Sequence, residues 1–128
     1  MPDRQEVVEK VTSSLVDALS VDEDEVSLEA ALTRDLGAES IDFLDIIFRL
    51  EKAFGMKIPR GDLIPEDLTT NPQYAKDGRL TEEGLQELQK RLPYADLTEF
   101  SKNPVVSNLP DIFTVEMIVK YIEQRLAQ

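Results

Sequence analysis

The residue best placed to do chemistry is Ser40, in the run Asp35-Leu36-Gly37-Ala38-Glu39-Ser40-Ile41-Asp42. This run ends a loop and begins a strongly apolar helical pattern, so the hydroxyl lies at a helix N-terminus among carboxylates. The 128-residue chain contains no histidine and no cysteine. Their absence excludes Ser-His-Asp and Cys-His catalysis, and zinc sites with imidazole or thiolate ligands. We therefore predict no catalytic residue and no metal site, and we interpret Ser40 as a point where another group is attached.

The composition is strongly acidic, since 26 Asp and Glu residues against 14 Lys and Arg residues give a formal net charge of -12. Nucleic acids and anionic membranes attract Lys and Arg, so neither is expected as a partner, whereas basic protein surfaces are favoured. Solubility alone is the simpler explanation of the charge. No apolar stretch approaches the roughly 18 residues that a membrane span requires. We expect a cytoplasmic monomer with no membrane span.

Three segments of the chain have apolar residues at helical spacing, and Ser40 begins the second of them. They cover residues 3–19, Ser40 to about Phe54-Gly55, and Thr114–Leu126. Leu28, Leu32 and Leu36 can reach the core from the connection between the first two segments. These patterns predict an all-α fold, a small bundle of three principal helices plus short helices. The stripes are Val8, Val11, Leu15, Ala18 and Leu19; then Ile41, Leu44, Ile47, Phe48 and Leu50; then Val115, Ile118, Val119, Ile122 and Leu126.

The stretch between Pro59 and Pro110 is too long for a structureless connection in a compact domain. A helix is predicted from Thr81, with an apolar stripe that ends at Pro93, and Leu97 and Phe100 are expected to anchor the next segment. A turn is predicted at Asp77-Gly78. A calcium-binding loop centred there is excluded, because its ligand positions would fall on Ala75 and Gly84.

The run around Ser40 resembles the Asp-Leu-Gly-Ala-Asp-Ser-Leu-Asp signature of the acyl carrier protein family. Leu50-Glu51-Lys52-Ala53-Phe54 with Ile58-Pro59, and Phe113-Thr114-Val115 before the last helix, are also similar to that family. The resemblance covers residues 1–59 and about 111–128. It implies a single acyl-carrier-like domain over residues 1–128, with an insertion at about 60–110 that the family pattern does not contain.

By this resemblance Ser40 carries 4'-phosphopantetheine, transferred from coenzyme A by a separate magnesium-dependent phosphopantetheinyl transferase. The thiol of the arm then holds an acyl chain as a thioester for acyl-loading and acyl-transferring enzymes, and the chain itself is no enzyme. A phosphate at a helix N-terminus is favoured by free N–H groups and by the helix dipole. Without the signature around it, Ser40 would be better interpreted as an ordinary N-cap.

The resemblance also implies roles for two further sets of residues. A partner-binding surface on the second helix comprises Glu39, Ile41, Asp42, Asp45, Phe48 and Glu51, for which an ordinary solvated helix face is the alternative. An acyl pocket is formed by inward residues, for each of which plain core packing is the simpler alternative. These are Leu44, Ile46, Ile47, Leu50, Phe54, Ile58, Ile118 and Ile122.

Three features depart from the family pattern. Glu39 replaces the usual aspartate before the serine, Arg49 and Lys52 bring positive charge to the second helix, and the insertion precedes the last helix. Together they indicate a specialised carrier, in envelope lipid synthesis or other specialised fatty-acyl synthesis. The alternative is an unmodified carrier-like protein that binds a partner through its acidic second helix, and a serine hydrolase is disfavoured by the missing histidine.

Overall fold

Three long helices form the frame of the protein in the computed structural model, which describes residues 3–60, 63 and 67–127, with backbone alone at Ser40 and Asp67. They are α1 (Arg4–Leu19), α2 (Ser40–Phe54) and α6 (Val115–Leu126). α1 packs against both α2 and α6. The mostly helical fold predicted from the sequence is confirmed, and the three principal helices begin and end within a residue of their predicted bounds.

The helix ends follow from local sequence. The Asp3 side chain accepts the N–H of Glu6 at the start of α1 (2.9 Å), and the Thr114 side chain accepts the N–H of Met117 at the start of α6 (3.2 Å). Such side-chain caps satisfy N–H groups that have no partner within the helix. Gly55 ends α2 with φ of 63°, a left-handed conformation that glycine adopts without steric cost.

The apolar stripes pack as predicted, with one shift of phase. On α1 the buried residues are Val7, Val11, Ser14 and Leu15, so that Val7 rather than Val8 faces the core directly. Val8, Ala18 and Leu19 are partly buried against it. On α6 the buried residues are Val115, Met117, Ile118, Val119, Tyr121 and Ile122, which occupy more than one face of the helix.

The insertion contains its own secondary structure. It consists of α3 (Asp67–Thr70), the antiparallel strands β1 (Ala75–Lys76) and β2 (Arg79–Leu80), α4 (Glu82–Arg91), α5 (Thr98–Lys102) and a 3₁₀ helix (Val106–Ile112). The helix predicted from Thr81 is confirmed as α4, capped by the Thr81 hydroxyl. The turn predicted at Asp77-Gly78 is also confirmed, with φ of 55° and 79°. Positive φ at both turn residues is typical of a two-residue hairpin, and the strands of this hairpin were not predicted.

The insertion packs against α6 through aromatic and buried apolar side chains. The rings of Tyr94 and Tyr121 meet edge to face, with centroids 5.2 Å apart. Leu88, Leu92 and Phe100 belong to the same cluster of buried apolar residues as the three long helices. This shared core explains why α6 is buried on more than one face, and it also fixes the segment that leads back into α6.

Candidate functional site

Ser40 is the first residue of α2, at the end of a loop that reaches it through Gly37. Gly37 has φ of 74°, so the chain turns here in a conformation that disfavours other residues. The backbone N–H of Glu39 donates to the Asp42 carboxylate (2.8 Å), and the N–H of Asp42 donates to the carbonyl of Glu39 (2.9 Å). These bonds fix the entry into the helix on both sides of Ser40. The Ser40 side chain lies outside the described part of the chain, so its role stays a prediction.

The loop before Ser40 is held by Asp35. Its carboxylate accepts the backbone N–H of Ala31 (2.8 Å) and pairs with the guanidinium of Arg34 (3.2 Å). Two hydrogen bonds lower the pKa of Asp35: the larger effect comes from Arg34 and the smaller from the Ala31 N–H. The hydrogen bond with Asp35 in turn raises the pKa of Arg34. A further bond joins the N–H of Leu32 to the carbonyl of Phe113 (2.9 Å). The loop is therefore tied to the segment that leads into α6.

The acidic residues predicted to bind partners differ in how free their carboxylates are. Glu39 and Asp45 are exposed, and Asp45 pairs with Arg49 one turn later (3.2 Å). Asp42 is half-buried and caps the helix, as described above. Glu51 is also half-buried, and its carboxylate accepts the N–H of Ile58 (2.8 Å). The Glu51 carboxylate is therefore less available to a partner than the partner-binding prediction requires, because it holds the turn after α2.

An apolar ridge runs along the solvent side of α2. Ile41, Leu44 and Phe48 are 74%, 50% and 54% exposed. Ile41 and Phe48 were expected to lie beside the acidic residues, but the inward position predicted for Leu44 is wrong. Leu44 lies three residues after Ile41 and four before Phe48, a spacing that puts all three on one helix face. We call these three residues the α2 ridge.

The rest of the predicted inward set lies in the core. Ile46, Ile47, Leu50, Ile58, Ile118 and Ile122 are buried, and Phe54 is partly buried against them. Burial confirms their placement and leaves an acyl-binding role as a prediction.

A small apolar cavity of about 10 Å³ lies between α2 and α6. Its size is close to that of one water-sized probe, so the core is nearly closed here. Ile46, Ile47 and Ile118 line it as expected. The remaining lining residues were missed, although Phe43 could have been found from its position one turn before Ile46 and Ile47; they are Leu32, Phe43, Leu63, Phe113 and Met117.

Over residues 3–60, 63 and 67–127, no group of three or more Asp and Glu side chains is arranged to hold a metal ion. Within that same part of the chain, no helix is both long enough and apolar enough to cross a bilayer.

Comparison with known proteins places this chain in a family. The family model described as "phosphopantetheine attachment site" matches residues 9–70, a range that contains the loop, Ser40 and α2. The acyl carrier protein of Rubrobacter xylanophilus is 46% identical over 68 residues, which are 53% of this chain and 82% of that protein. The acyl carrier protein of Thermotoga maritima is 43% identical over 63 residues, 49% of this chain and 78% of that protein. The chain thus belongs to the acyl carrier protein family, as a carrier of acyl groups on a 4'-phosphopantetheine arm and not an enzyme.

Proposed function

We propose that Ser40 is the residue that carries the arm. The observation behind this assignment is the position of Ser40 at the first residue of α2, within the matched range 9–70 and within the run 35–42, where it is the single serine. In the transfer, the Ser40 oxygen forms a bond to the phosphate that carries pantetheine, and the bond from that phosphate to the other phosphate of coenzyme A breaks. Adenosine 3',5'-bisphosphate leaves, and the hydroxyl proton of Ser40 is released. The positive end of α2 favours the phosphodiester despite its acidic neighbours.

The proposed acyl pocket is the region around the small cavity between α2 and α6. Phe43 lies three residues after Ser40 and lines this cavity, so an acyl chain could enter from the end of α2 that bears the arm. A cavity of about 10 Å³ cannot hold several methylenes, so α2 and α6 must separate or side chains must move as the chain enters. Each buried methylene would contribute about 0.8 kcal/mol, which offsets part of the cost of this opening.

We propose that partner enzymes dock on the α2 ridge and on the exposed carboxylates of Glu39 and Asp45. An exposed apolar strip flanked by charges is typical of a protein interface. Asp42 can contribute only in part, since it also caps the helix. The partners are a phosphopantetheinyl transferase and enzymes that load and transfer acyl groups.

The departures from the family pattern support a specialised role. The insertion adds a hairpin and further helices to the core, and the second half of α2 carries Arg49 and Lys52. We therefore infer one acyl-carrier-like domain, with the insertion at about 60–110, that serves a dedicated partner set in the cytoplasm as a monomer. Envelope lipid synthesis, or another specialised fatty-acyl synthesis, is the pathway class that we propose.

Intact-mass measurement tests the attachment site. The protein is incubated with coenzyme A, magnesium and a broad-specificity phosphopantetheinyl transferase, alongside Ser40→Ala and the control Ser27→Ala, which changes an exposed serine in the loop before Ala30. We expect one added phosphopantetheine in the wild type and in S27A, and none in S40A. A gain of mass in S40A would move the attachment elsewhere. No gain in any protein, with the source organism's own transferases included, would favour the unmodified interaction protein.

A further inference from the structure

A basic groove lies between α1 and the second half of α2. It has a volume of about 360 Å³, and its lining includes Lys10, Ser13 and Asp17 from α1 with Arg49 and Lys52 from α2. Three of these five side chains are cations, on a chain whose net charge is -12. The lining thus has a positive formal charge, with Asp17 as its one anion and with Arg49 already paired with Asp45.

The two lysines of this groove interact with uncharged groups. Lys52 Nζ lies 4.7 Å from the centre of the Phe48 ring. Lys10 Nζ lies 5.5 Å from the centre of the Phe54 ring and donates to the carbonyl of Ala53 (3.4 Å). Within the described ranges, none of the observed ion pairs involves either lysine. Because ring faces and carbonyls leave the charge of an ammonium uncompensated, both lysines can still pair with an incoming carboxylate.

The groove contacts the α2 ridge through Lys52. Phe48 belongs to the ridge, and the ammonium group of Lys52 lies over its ring. The exposed charged residues at the start and in the first half of α2 are acidic, at Glu39 and Asp45, whereas Lys52 near its end is basic. A partner that covers the whole ridge must meet both signs of charge.

We propose that Lys52 and Lys10 select the partners of this carrier, by pairing with carboxylates on a partner protein whose docking surface is basic opposite Glu39 and Asp45. A partner whose docking surface is basic throughout is disfavoured, because it brings positive charge against the groove. The occupant is a protein surface rather than a small anion, because Lys52 lies over Phe48 of the α2 ridge, and a partner that covers the ridge also covers this lysine. This inference rests on the proposed docking of partners through α2.

Charge reversal at Lys52 tests the inference with a defined probe. The probe is a phosphopantetheinyl transferase whose carrier-docking surface carries only lysine and arginine as charged residues. Lys52→Glu is compared with Lys76→Glu, which makes the same change of net charge on an exposed residue of the hairpin. We expect K52E to raise kcat/KM for phosphopantetheine transfer by about threefold or more relative to K76E at low salt. The gain should fade at about 0.5 M NaCl, where surface charges are screened.

Two further variants complete the test. Lys52→Gln removes the charge without reversing it, and should give an intermediate gain. A transferase variant with one docking lysine replaced by glutamate should prefer the wild-type carrier to K52E. Equal rates for K52E and K76E on a carrier that is modified would overturn this inference alone. A carrier that no transferase modifies, wild type and variants alike, would overturn the proposed function and this inference with it.

Discussion

The ring of Phe43 meets the ring of Phe113 edge to face, with centroids 6.1 Å apart and an angle of 69° between the planes. Phe43 lies in the first turn of α2 and Phe113 just before α6. The carbonyl of Phe113 also accepts the N–H of Leu32. Phe113 therefore connects three parts of the site: the loop before Ser40, α2 and the start of α6. Both rings line the small cavity, so they stand where a chain entering from Ser40 would meet the core.

Replacing Phe113 by alanine should therefore enlarge the proposed acyl pocket. We expect Phe113→Ala to lower the free energy of unfolding of the unmodified protein by about 3 kcal/mol or more, since a buried ring is lost and a cavity is left. An octanoyl chain on the arm should recover more stability in F113A than in the wild type, because the cavity is already open. Urea unfolding of the unmodified and octanoylated forms measures both effects.

Phe100→Ala provides the matched control for this prediction. Phe100 is also a buried ring, but it lies in the insertion and away from the cavity lining. It should lose stability comparably and show the same octanoyl effect as the wild type. An equal octanoyl effect in F113A and F100A would contradict a pocket between α2 and α6.

Leu44 and Ile46 should separate docking from folding. Leu44 is half-exposed on the α2 ridge, whereas Ile46 is buried. Leu44→Ala should change the free energy of unfolding by less than about 1 kcal/mol, while Ile46→Ala should lower it by about 2 to 4 kcal/mol. We also expect L44A to lower kcat/KM for transfer of the arm, measured with the transferase below its KM. A loss of stability in L44A as large as that in I46A would contradict the exposed position of Leu44.

The helices that frame the site could be predicted because caps and periodicity agree along the chain. Asp3, Thr114 and Gly55 mark helix ends by local chemistry that needs no tertiary information. The position of Leu44 could not be obtained in this way. An apolar residue within an apolar helical pattern is predicted to face the core. Which side of a broad apolar stripe remains exposed depends on how α2 packs against α1.

The cavity and the role of Glu51 depend on contacts between distant segments. Phe113 and Met117 line the cavity with Phe43 because α6 returns beside α2 after the whole insertion, and no spacing in the sequence encodes that distance. Glu51 was predicted to bind partners, but the turn after α2 brings the N–H of Ile58 to its carboxylate. The hairpin strands have two residues each, too few for a period-2 pattern to appear.

The close packing of α4 within the insertion can be tested at Gly84, where the helix approaches the residues just before the hairpin. A Cβ on Gly84 would overlap the carbonyl oxygen of Tyr74, which already accepts the N–H of Thr81 (2.8 Å). Gly84→Ala should therefore destabilise the protein by about 1 to 3 kcal/mol, because backbone must move to relieve the clash. Gln86→Ala, at an exposed position on the same helix, should stay within about 0.5 kcal/mol of the wild type. Thermal or urea unfolding distinguishes them, and equal stability of G84A and Q86A would contradict the close packing of α4.

The loop before Ser40 should depend on the ionised form of Asp35. The hydrogen bonds from Arg34 and from the Ala31 N–H lower the pKa of Asp35 in the folded protein, so ionisation of this group stabilises the fold. That contribution is fully present above the unfolded pKa of about 3.9, and it is lost as the pH falls through the lower folded value. Asp35→Asn should therefore have a lower urea midpoint than the wild type at about pH 7, and the gap should narrow as the pH falls below about 4.

Urea unfolding between neutral and acid pH measures this gap. The control for removal of one negative charge is Asp24→Asn, at an exposed aspartate in the short 3₁₀ helix Glu23–Glu25 that follows α1. Because both variants raise the net charge by one, a difference between them reports the local bonds of Asp35 rather than the overall charge. The urea midpoint of D24N should equal that of the wild type or be slightly higher at each pH, since loss of one carboxylate relieves repulsion on an acidic chain. A gap between D35N and the wild type that stays constant down to about pH 2 would mean that ionised Asp35 does not hold the loop that leads into Ser40.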